Sequence, residues 1–298
     1  MLITKTDYLE YTFCRKNLWL RKHKPELFEN VEFSDFEKKI IEDGNLAESA
    51  CRKLFREGML IESTGKQAIA ETKMEIDSGK QTLFQATFQD DVFFIRADIL
   101  RYSPELNGWE LFEVKATNEV KRKVPHHHVN DLAFQKIVIE RCGLRVAKAS
   151  VIHLNREYTK HGAVNYHELF VYADLTGEVI EAEAQVKQEM EDVKTYLNSP
   201  EEKGCLCIYE GKSNHCPTFV YSNPEVPEYS VHHFNRIGMS KKKLIDWIDR
   251  GELSLADIHN PEALNDTQRM QYDAHTLSRS IVNREAIHEA LNELVFPL

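Results

Sequence analysis

The apolar positions of this chain change period along its length, and the changes divide it into elements. From residue 1 to 24, Tyr8, Leu9, Tyr11, Leu18, Trp19 and Leu20 are the apolar positions of an expected first helix. From 35 to 57, Ile40, Ile41, Leu46, Ala47, Ala50, Leu54 and Phe55 make a mostly apolar stripe that predicts a second helix. A third is expected from Gly65 to Asp77. The period then falls to two, with strands expected at 81–88, 92–100 and 109–117. Helical spacing returns from Val129 to Arg141 and stops at Cys142-Gly143. Strands follow at Ala147 to Leu154 and Leu169 to Ala173, and a long helix from about Glu178 to Leu197. Helices, a three-strand meander, a crossover helix and further strands suit an α/β domain with a mixed central sheet flanked by helices. Pattern and composition change near Pro200, and Asn223-Pro224-Glu225-Val226-Pro227 reads as a linker. Beyond it, helices at Ser240 to Arg250 and Thr267 to Leu294 make residues 228–298 a small helical appendage.

Charges inside the apolar strand runs alter this picture. Asp98 lies in Val92-Phe93-Phe94-Ile95-Arg96-Ala97-Asp98-Ile99-Leu100, and Glu113 and Lys115 lie in Trp109-Glu110-Leu111-Phe112-Glu113-Val114-Lys115-Ala116. Ser103-Pro104-Glu105-Leu106-Asn107-Gly108 supplies a turn between them, so an antiparallel hairpin is expected. Glu113 and Lys115 then share one face and Val114 takes the other. Charges among Phe-Phe-Ile and Leu-Phe need partners. Phosphodiester hydrolysis needs a hard divalent cation on carboxylate oxygens and a positive group to orient water or stabilise developing charge. Asp98, Glu113 and Lys115 would supply both. The other reading of the same residues is an ordinary Glu113–Lys115 ion pair on a solvated strand, with Asp98 capping a turn.

The 298 residues suffice for one large domain with an appendage, and a hydrophobic fraction of 42% is ordinary for a globular protein. No apolar run has membrane-spanning length and the amino terminus lacks a signal-peptide core, so a cytoplasmic protein is expected. A net charge of -10 argues against a protein that coats nucleic acid nonspecifically. Basic residues are nevertheless clustered, at Arg15, Lys16, Arg21, Lys22 and Lys24 and again at Lys121-Arg122-Lys123 before His126-His127-His128. Such runs serve either as phosphate contacts or as solvated faces. The three histidines are candidate phosphate contacts or exposed loop residues.

Six cysteines in a cytosolic chain are expected to be reduced or metal-bound. Cys205, Cys207 and Cys216 form a tight trio among loop formers, and three thiolates leave one coordination position open. Cys14 fills it if the first helix packs near the far end of the domain, giving a four-cysteine site for a 4Fe-4S cluster or for zinc. Cys51 and Cys142 read as small core residues.

Taken in order, Thr4-Lys5-Thr6-Asp7-Tyr8-Leu9, Cys14-Arg15-Lys16-Asn17-Leu18-Trp19-Leu20, Asp98, Glu113-Val114-Lys115, Gln135 and the terminal trio resemble the RecB-like iron-sulfur nucleases. These belong to the PD-(D/E)XK superfamily and include the CRISPR-associated RecB-like nucleases and the AddB and exonuclease V groups. The resemblance covers about residues 1 to 220 and implies a restriction-endonuclease-like fold. It implies that Asp98 and Glu113 bind Mg2+ or Mn2+ with the Val114 carbonyl as a third ligand, and that Lys115 is catalytic. By the same resemblance Gln135 holds a phosphate or water, and Cys14, Cys205, Cys207 and Cys216 hold a structural 4Fe-4S cluster. Where many members carry a histidine ligand, Gly44-Asn45-Leu46-Ala47-Glu48 stands here, so Glu48 is the expected substitute. Four positions beyond Gln135, where the family usually has tyrosine, the chain has Ile139.

The implied organisation is a nuclease domain over 1–222 closed by the four cysteines, followed by a helical appendage over 223–298. Relatives continue beyond a segment like Leu294-Val295-Phe296-Pro297-Leu298 into a DnaQ-like exonuclease domain, so a fragment or a single-domain form is expected. The implied activity is a DNA nuclease acting on single-stranded ends, with DNA and repair or defence proteins as partners and no membrane. Two other classes fit the same residues. One is a nuclease-fold module that binds nucleic acid or a partner without cutting, and the other is a zinc protein acting on a different substrate.

Overall fold

The computed structural model describes residues 1–29, 34–55, 57–124 and 126–294. The final segment compared above with the lead into a further domain falls at 295–298, outside the described residues, as does Arg56 near the expected end of the second helix. Two compact units are formed, Met1–Glu201 and Glu202–Leu298. Among the described residues no helix is long and apolar enough to cross a membrane.

In the first unit, seven strands form one mixed sheet: β1 (Ile3–Thr4), β2 (Met59–Leu60), β3 (Thr82–Asp90), β4 (Phe93–Ser103), β5 (Gly108–Lys115), β6 (Val146–Leu154) and β7 (Phe170–Asp174). The order is β2-β3-β4-β5-β6-β7, with β1 also against β4. β3, β4 and β5 are an antiparallel meander, and β5–β6 is parallel. The parallel step requires a crossover, and α4 (His128–Arg141) supplies it. Helices α1 (Lys5–His23), α2 (Asp35–Arg52), α3 (Gly65–Asp77), α5 (Tyr166–Leu169) and α6 (Thr176–Leu197) complete the unit.

The larger core gathers Tyr8 and Leu18 of α1, Leu132, Phe134, Ile137 and Val138 of α4, and Val179, Val186, Met190 and Val193 of α6 against Leu111 and Val151 of the sheet. The smaller one sets Ala47 and Cys51 of α2 with Phe55 against Phe84, Ile99, Phe112, Val114 and Ile152. β5 is therefore buried on both faces, Glu110 and Glu113 included.

Several expectations change. The first helix starts at Lys5 because Ile3–Thr4 joins the sheet, and it is broken at Cys14, whose φ of -151° and ψ of 94° are not helical. Thr4 and Asp7 form a reciprocal cap at its start. In α2 only Ala47 and Cys51 are buried, while Ile40, Ile41 and Leu46 of the expected apolar stripe are exposed. Cys51 is a core residue as expected, but Cys142 is exposed.

The second unit has its own core of Val231, Phe234, Ile237, Leu244, Trp247, Leu255 and Ile258. Its helices are α7 (Phe219–Ser222), α8 (Lys241–Asp249), α9 (Asp266–Thr276) and α10 (Arg284–Asn292). The single helix expected over Thr267–Leu294 is thus two. It breaks at Leu277–Asn283, where Ser278 takes a left-handed φ of 48° and Asn283 caps α10 through Ala286 N–H.

Candidate functional site

β4 and β5 part company in mid-sheet. Their paired register runs from Ser103↔Gly108 to Ile99↔Phe112 and stops there, although β5 continues to Lys115 and β4 reaches back to Phe93. Beyond the stop, β1 occupies the freed side of β4, with Ile3 opposite Phe93 and Thr4 opposite Phe94. A fork opens between the two strands.

Strand alternation slips at the same level. On β4, Ala97 and Leu100 belong to the larger core but Ile99 to the smaller, and on β3 Phe84 belongs to the smaller while Ala86 and Phe88 belong to the larger. Phe84 pairs with Ile99 and Ala86 with Ala97, which leaves Gln85 and Asp98 as the residues between two paired positions. Gln85 has a left-handed φ of 58°, a strained conformation for a residue with a side chain. Irregular strand geometry of this kind re-aims side chains.

At the fork, Asp98 Oδ2 accepts Val114 N–H at 2.8 Å, supplying the acceptor that the interrupted ladder does not. Gln85 Nε2 donates to Glu48 Oε1 and lies 3.4 Å from Asp98 Oδ1. Arg52, one turn along α2, is paired with the same Glu48 oxygen. Glu48 therefore stands beside Asp98 through Gln85.

Glu113 is saturated. Lys5 Nζ lies 2.7 and 2.8 Å from its two oxygens, Lys115 Nζ 2.7 Å from Oε1, and Gln135 Nε2 2.8 Å from Oε2. Asp131, one turn before Gln135 on α4, accepts from Lys115 at 2.8 Å and from Gln135 at 2.9 Å. Lys115 and Gln135 are thus fixed between the same two carboxylates. Glu113, Asp131 and Gln135 are buried, and the two lysines are about a quarter exposed.

The electrostatics separate the two β-strand carboxylates. Burial pushes Asp98 up to about 7, with the Glu113 charge adding to it, Lys5 opposing, Glu48 adding and the Val114 amide opposing. Burial would raise Glu113 too, but Lys115 and Lys5 outweigh it and hold Glu113 well below the usual carboxylate range. Burial would lower Lys115, yet Asp131 and Glu113 keep it above its ordinary value and protonated.

The connected group contains the carboxylates Glu48, Asp98, Glu113 and Asp131 and the cations Lys5, Arg52 and Lys115. With all of them ionised one negative charge is left over, and it falls on Asp98, the carboxylate without a cation hydrogen-bonded to it among the described contacts. Gln135 Oε1 is buried with no hydrogen-bond partner among the described residues. An uncompensated carboxylate beside two others, together with the Gln135 carbonyl oxygen, forms a set of hard oxygen donors of the kind that suits a divalent cation.

The histidine run divides. His126 is exposed, but His128 is buried at the start of α4, its ring Nδ1 accepting Lys121 N–H at 3.1 Å and its backbone N–H donating to Lys121 O at 2.9 Å. Burial, then the charge of Lys115, push His128 down to about 4. A histidine held neutral in the fold takes up its proton first in the unfolded chain. Its contribution to stability is therefore intact above about 6.5 and lost as pH falls toward 4. The expected loss is about 3 kcal/mol at most. Urea titrations from pH 7.5 to 4.5 should show a weaker acid dependence in His128→Gln than in the parent chain, and parallel curves would refute the assignment.

Cys14 sits at the break in α1. Asn223 ties down Cys205, its carboxamide oxygen accepting Cys205 N–H at 3.2 Å and its Nδ2 lying 3.2 Å from the sulfur. In the second unit the thiol sulfurs of Cys205, Cys207 and Cys216 lie within 4.8 Å of one another. A donor set made only of thiols suits zinc or an iron-sulfur cluster.

The structure thus brings Asp98, Glu113, Lys115, Gln135 and Glu48 together, with Val114 contributing its amide to Asp98. Lys5, Asp131, Gln85 and Arg52 are site residues that the motif reading passed over. Asp131 had a signal, its spacing of four from Gln135 on one helix. Lys5 had none, because the two-residue strand that delivers it is too short to read from periodicity.

No family model matches the chain, and no curated protein matches it. Among solved structures, it is similar to the crystal structure of an alkaline exonuclease from Laribacter hongkongensis. That alignment covers 66% of this chain and 89% of the other at 10% identity, with a TM-score of 0.26. A likeness so distant carries no argument, and the chemistry rests on the residues themselves.

Proposed function

We propose that this protein is a Mg2+- or Mn2+-dependent DNA nuclease of the PD-(D/E)XK type, acting on single-stranded ends, with a 4Fe-4S cluster on Cys14, Cys205, Cys207 and Cys216. The observation that carries the reading is the meeting of Asp98, Glu113 and Lys115 at the fork between β4 and β5, with one negative charge left uncompensated. A divalent ion held by Asp98, Glu113 and Glu48, with the Val114 carbonyl as a further oxygen, would polarise the phosphoryl group and activate water. Lys115 stays protonated between Glu113 and Asp131, so it orients the attacking water or meets the charge developing on the phosphate oxygens. Gln135, locked by the same carboxylates, leaves its carbonyl oxygen to accept a hydrogen bond from water.

The test is cleavage of end-labelled single-stranded DNA by protein with its full metal complement, comparing Mg2+, Mn2+ and chelator. Cleavage with either ion and none with chelator is expected. Absence of metal-dependent cleavage would sink the reading. The same preparation should be brown and absorb visible light, whereas a colourless zinc protein would remove the iron-sulfur assignment.

A second reading, a module that binds without cutting, is favoured by one observation. Ile139, at the position of the expected tyrosine, is fully buried in the larger core and offers no hydroxyl. DNA affinity without metal and without turnover would favour it.

A further inference from the structure

Lys5 holds Glu113 more completely than any other group does. Its Nζ reaches both carboxylate oxygens, at 2.7 and 2.8 Å, while Lys115 and Gln135 reach one each. The placement is built into the fold. β1 pairs beside Phe93 and Phe94 past the fork, the Thr4–Asp7 cap turns the chain into α1, and Lys5 is the first residue after that turn. Lys22 secures the turn from the far end of α1, donating to Asp7 Oδ2 at 2.7 Å and to Leu2 O at 3.1 Å.

The two lysines have unequal alternatives. Lys115 is shared between Glu113 and Asp131, so it keeps a carboxylate if Glu113 is engaged elsewhere. Lys5 has Asp131 only as a longer ion pair, its Nζ lying 3.9 Å from Oδ1, whereas its hydrogen bonds here both go to Glu113. Any cation that takes an oxygen of Glu113 therefore displaces Lys5 before Lys115.

Resting on the metal reading above, we propose that Lys5 is a built-in stand-in cation. It neutralises Glu113 in the metal-free protein, yields to the divalent ion, and then faces the phosphodiester as a second positive group beside Lys115. The charge balance follows this sequence. With all its members ionised the group has one excess negative charge, a divalent ion turns that into one excess positive charge, and one phosphodiester neutralises it. Without Lys5 the group would start at two negative charges, reach neutrality with the ion, and carry excess negative charge once the phosphate arrived.

Loss of Lys5 therefore has two consequences of opposite sign, which a merely structural role would not produce. In Lys5→Met, Mn2+ followed by titration calorimetry without DNA should bind about tenfold more tightly, while KM for single-stranded DNA at saturating Mn2+ should rise about tenfold. Lys5→Arg keeps the charge and should restore both values toward those of the parent chain. If Lys5→Met does not fold without metal, Lys5→Gln retains a donor to Glu113 and carries the same expectations. Mn2+ affinity that is unchanged or weaker in the charge-removing variants, with uptake by the parent chain intact, overturns the role of Lys5 alone. A parent chain that takes up no Mn2+ overturns the metal reading and this inference together.

Discussion

Lys115→Ala should lower Mn2+-dependent cleavage of single-stranded DNA by about 10²–10³-fold, the usual loss when one preorganised charge-stabilising group is removed. The fold is checked alongside cleavage, because Lys115 also compensates two buried carboxylates. It spans Glu113 and Asp131 at 2.7 and 2.8 Å, and both carboxylates keep Gln135 when it is gone. Removing a cation also makes the carboxylate group more negative, so Mn2+ should bind the variant at least as well as the parent chain. Loss of cleavage with retained Mn2+ binding and an unchanged circular dichroism spectrum is the expected pattern. Cleavage at the parental rate would remove Lys115 from the chemistry. Arginine is a poor substitute here, because its planar fork does not occupy the place of a compact ammonium between two carboxylates.

The largest stability effect is expected at Phe134. Its ring is fully buried, stacks on Tyr8 at 5.0 Å and meets Phe93 edge-on at 5.9 Å, joining α1, α4 and β4. Phe134→Ala should cost about 3–5 kcal/mol in urea unfolding, from lost transfer free energy and the cavity left behind. A typical domain has only about 5–15 kcal/mol in total, so the variant should be close to its unfolding threshold at 37 °C. Phe134→Leu, which retains most of the volume, should cost less. Phe134 precedes Gln135 directly and follows Asp131 by three, so the aromatic stack also fixes the level at which α4 presents its polar pair to Glu113. A Phe134→Ala cost below about 1 kcal/mol would show that α4 is held by other contacts.

Much of this arrangement is legible in the order of residues. Alternation locates β4 and β5, the turn at 103–108 joins them, and the spacing of Glu113 and Lys115 puts both on the face that α4 covers. The long-range features are not legible. No periodicity predicts that pairing stops at Ile99↔Phe112, because nothing local to Asp98 records that β1 will occupy the neighbouring place on β4. Gln85 is likewise an unremarkable residue in a strand until its backbone is seen to take a left-handed conformation opposite Asp98. Burial along α2 is not legible either, because helical spacing marks an apolar stripe without saying whether anything packs on it. The break at Leu277–Asn283 is hidden because the flanking apolar positions keep a helical rhythm across it.

The fork has a practical bearing on mutagenesis. Asp98 serves the backbone as well as any ligand, because its Oδ2 is the acceptor for Val114 N–H. Alanine at this position would leave that amide unsatisfied and loosen the strand that carries Glu113 and Lys115, so structural damage and lost chemistry would arrive together. Asparagine keeps an acceptor oxygen for the amide, removes the charge and gives up only the long 3.4 Å contact from Gln85. Asp98→Asn is therefore the substitution that separates holding the strand from holding the ion.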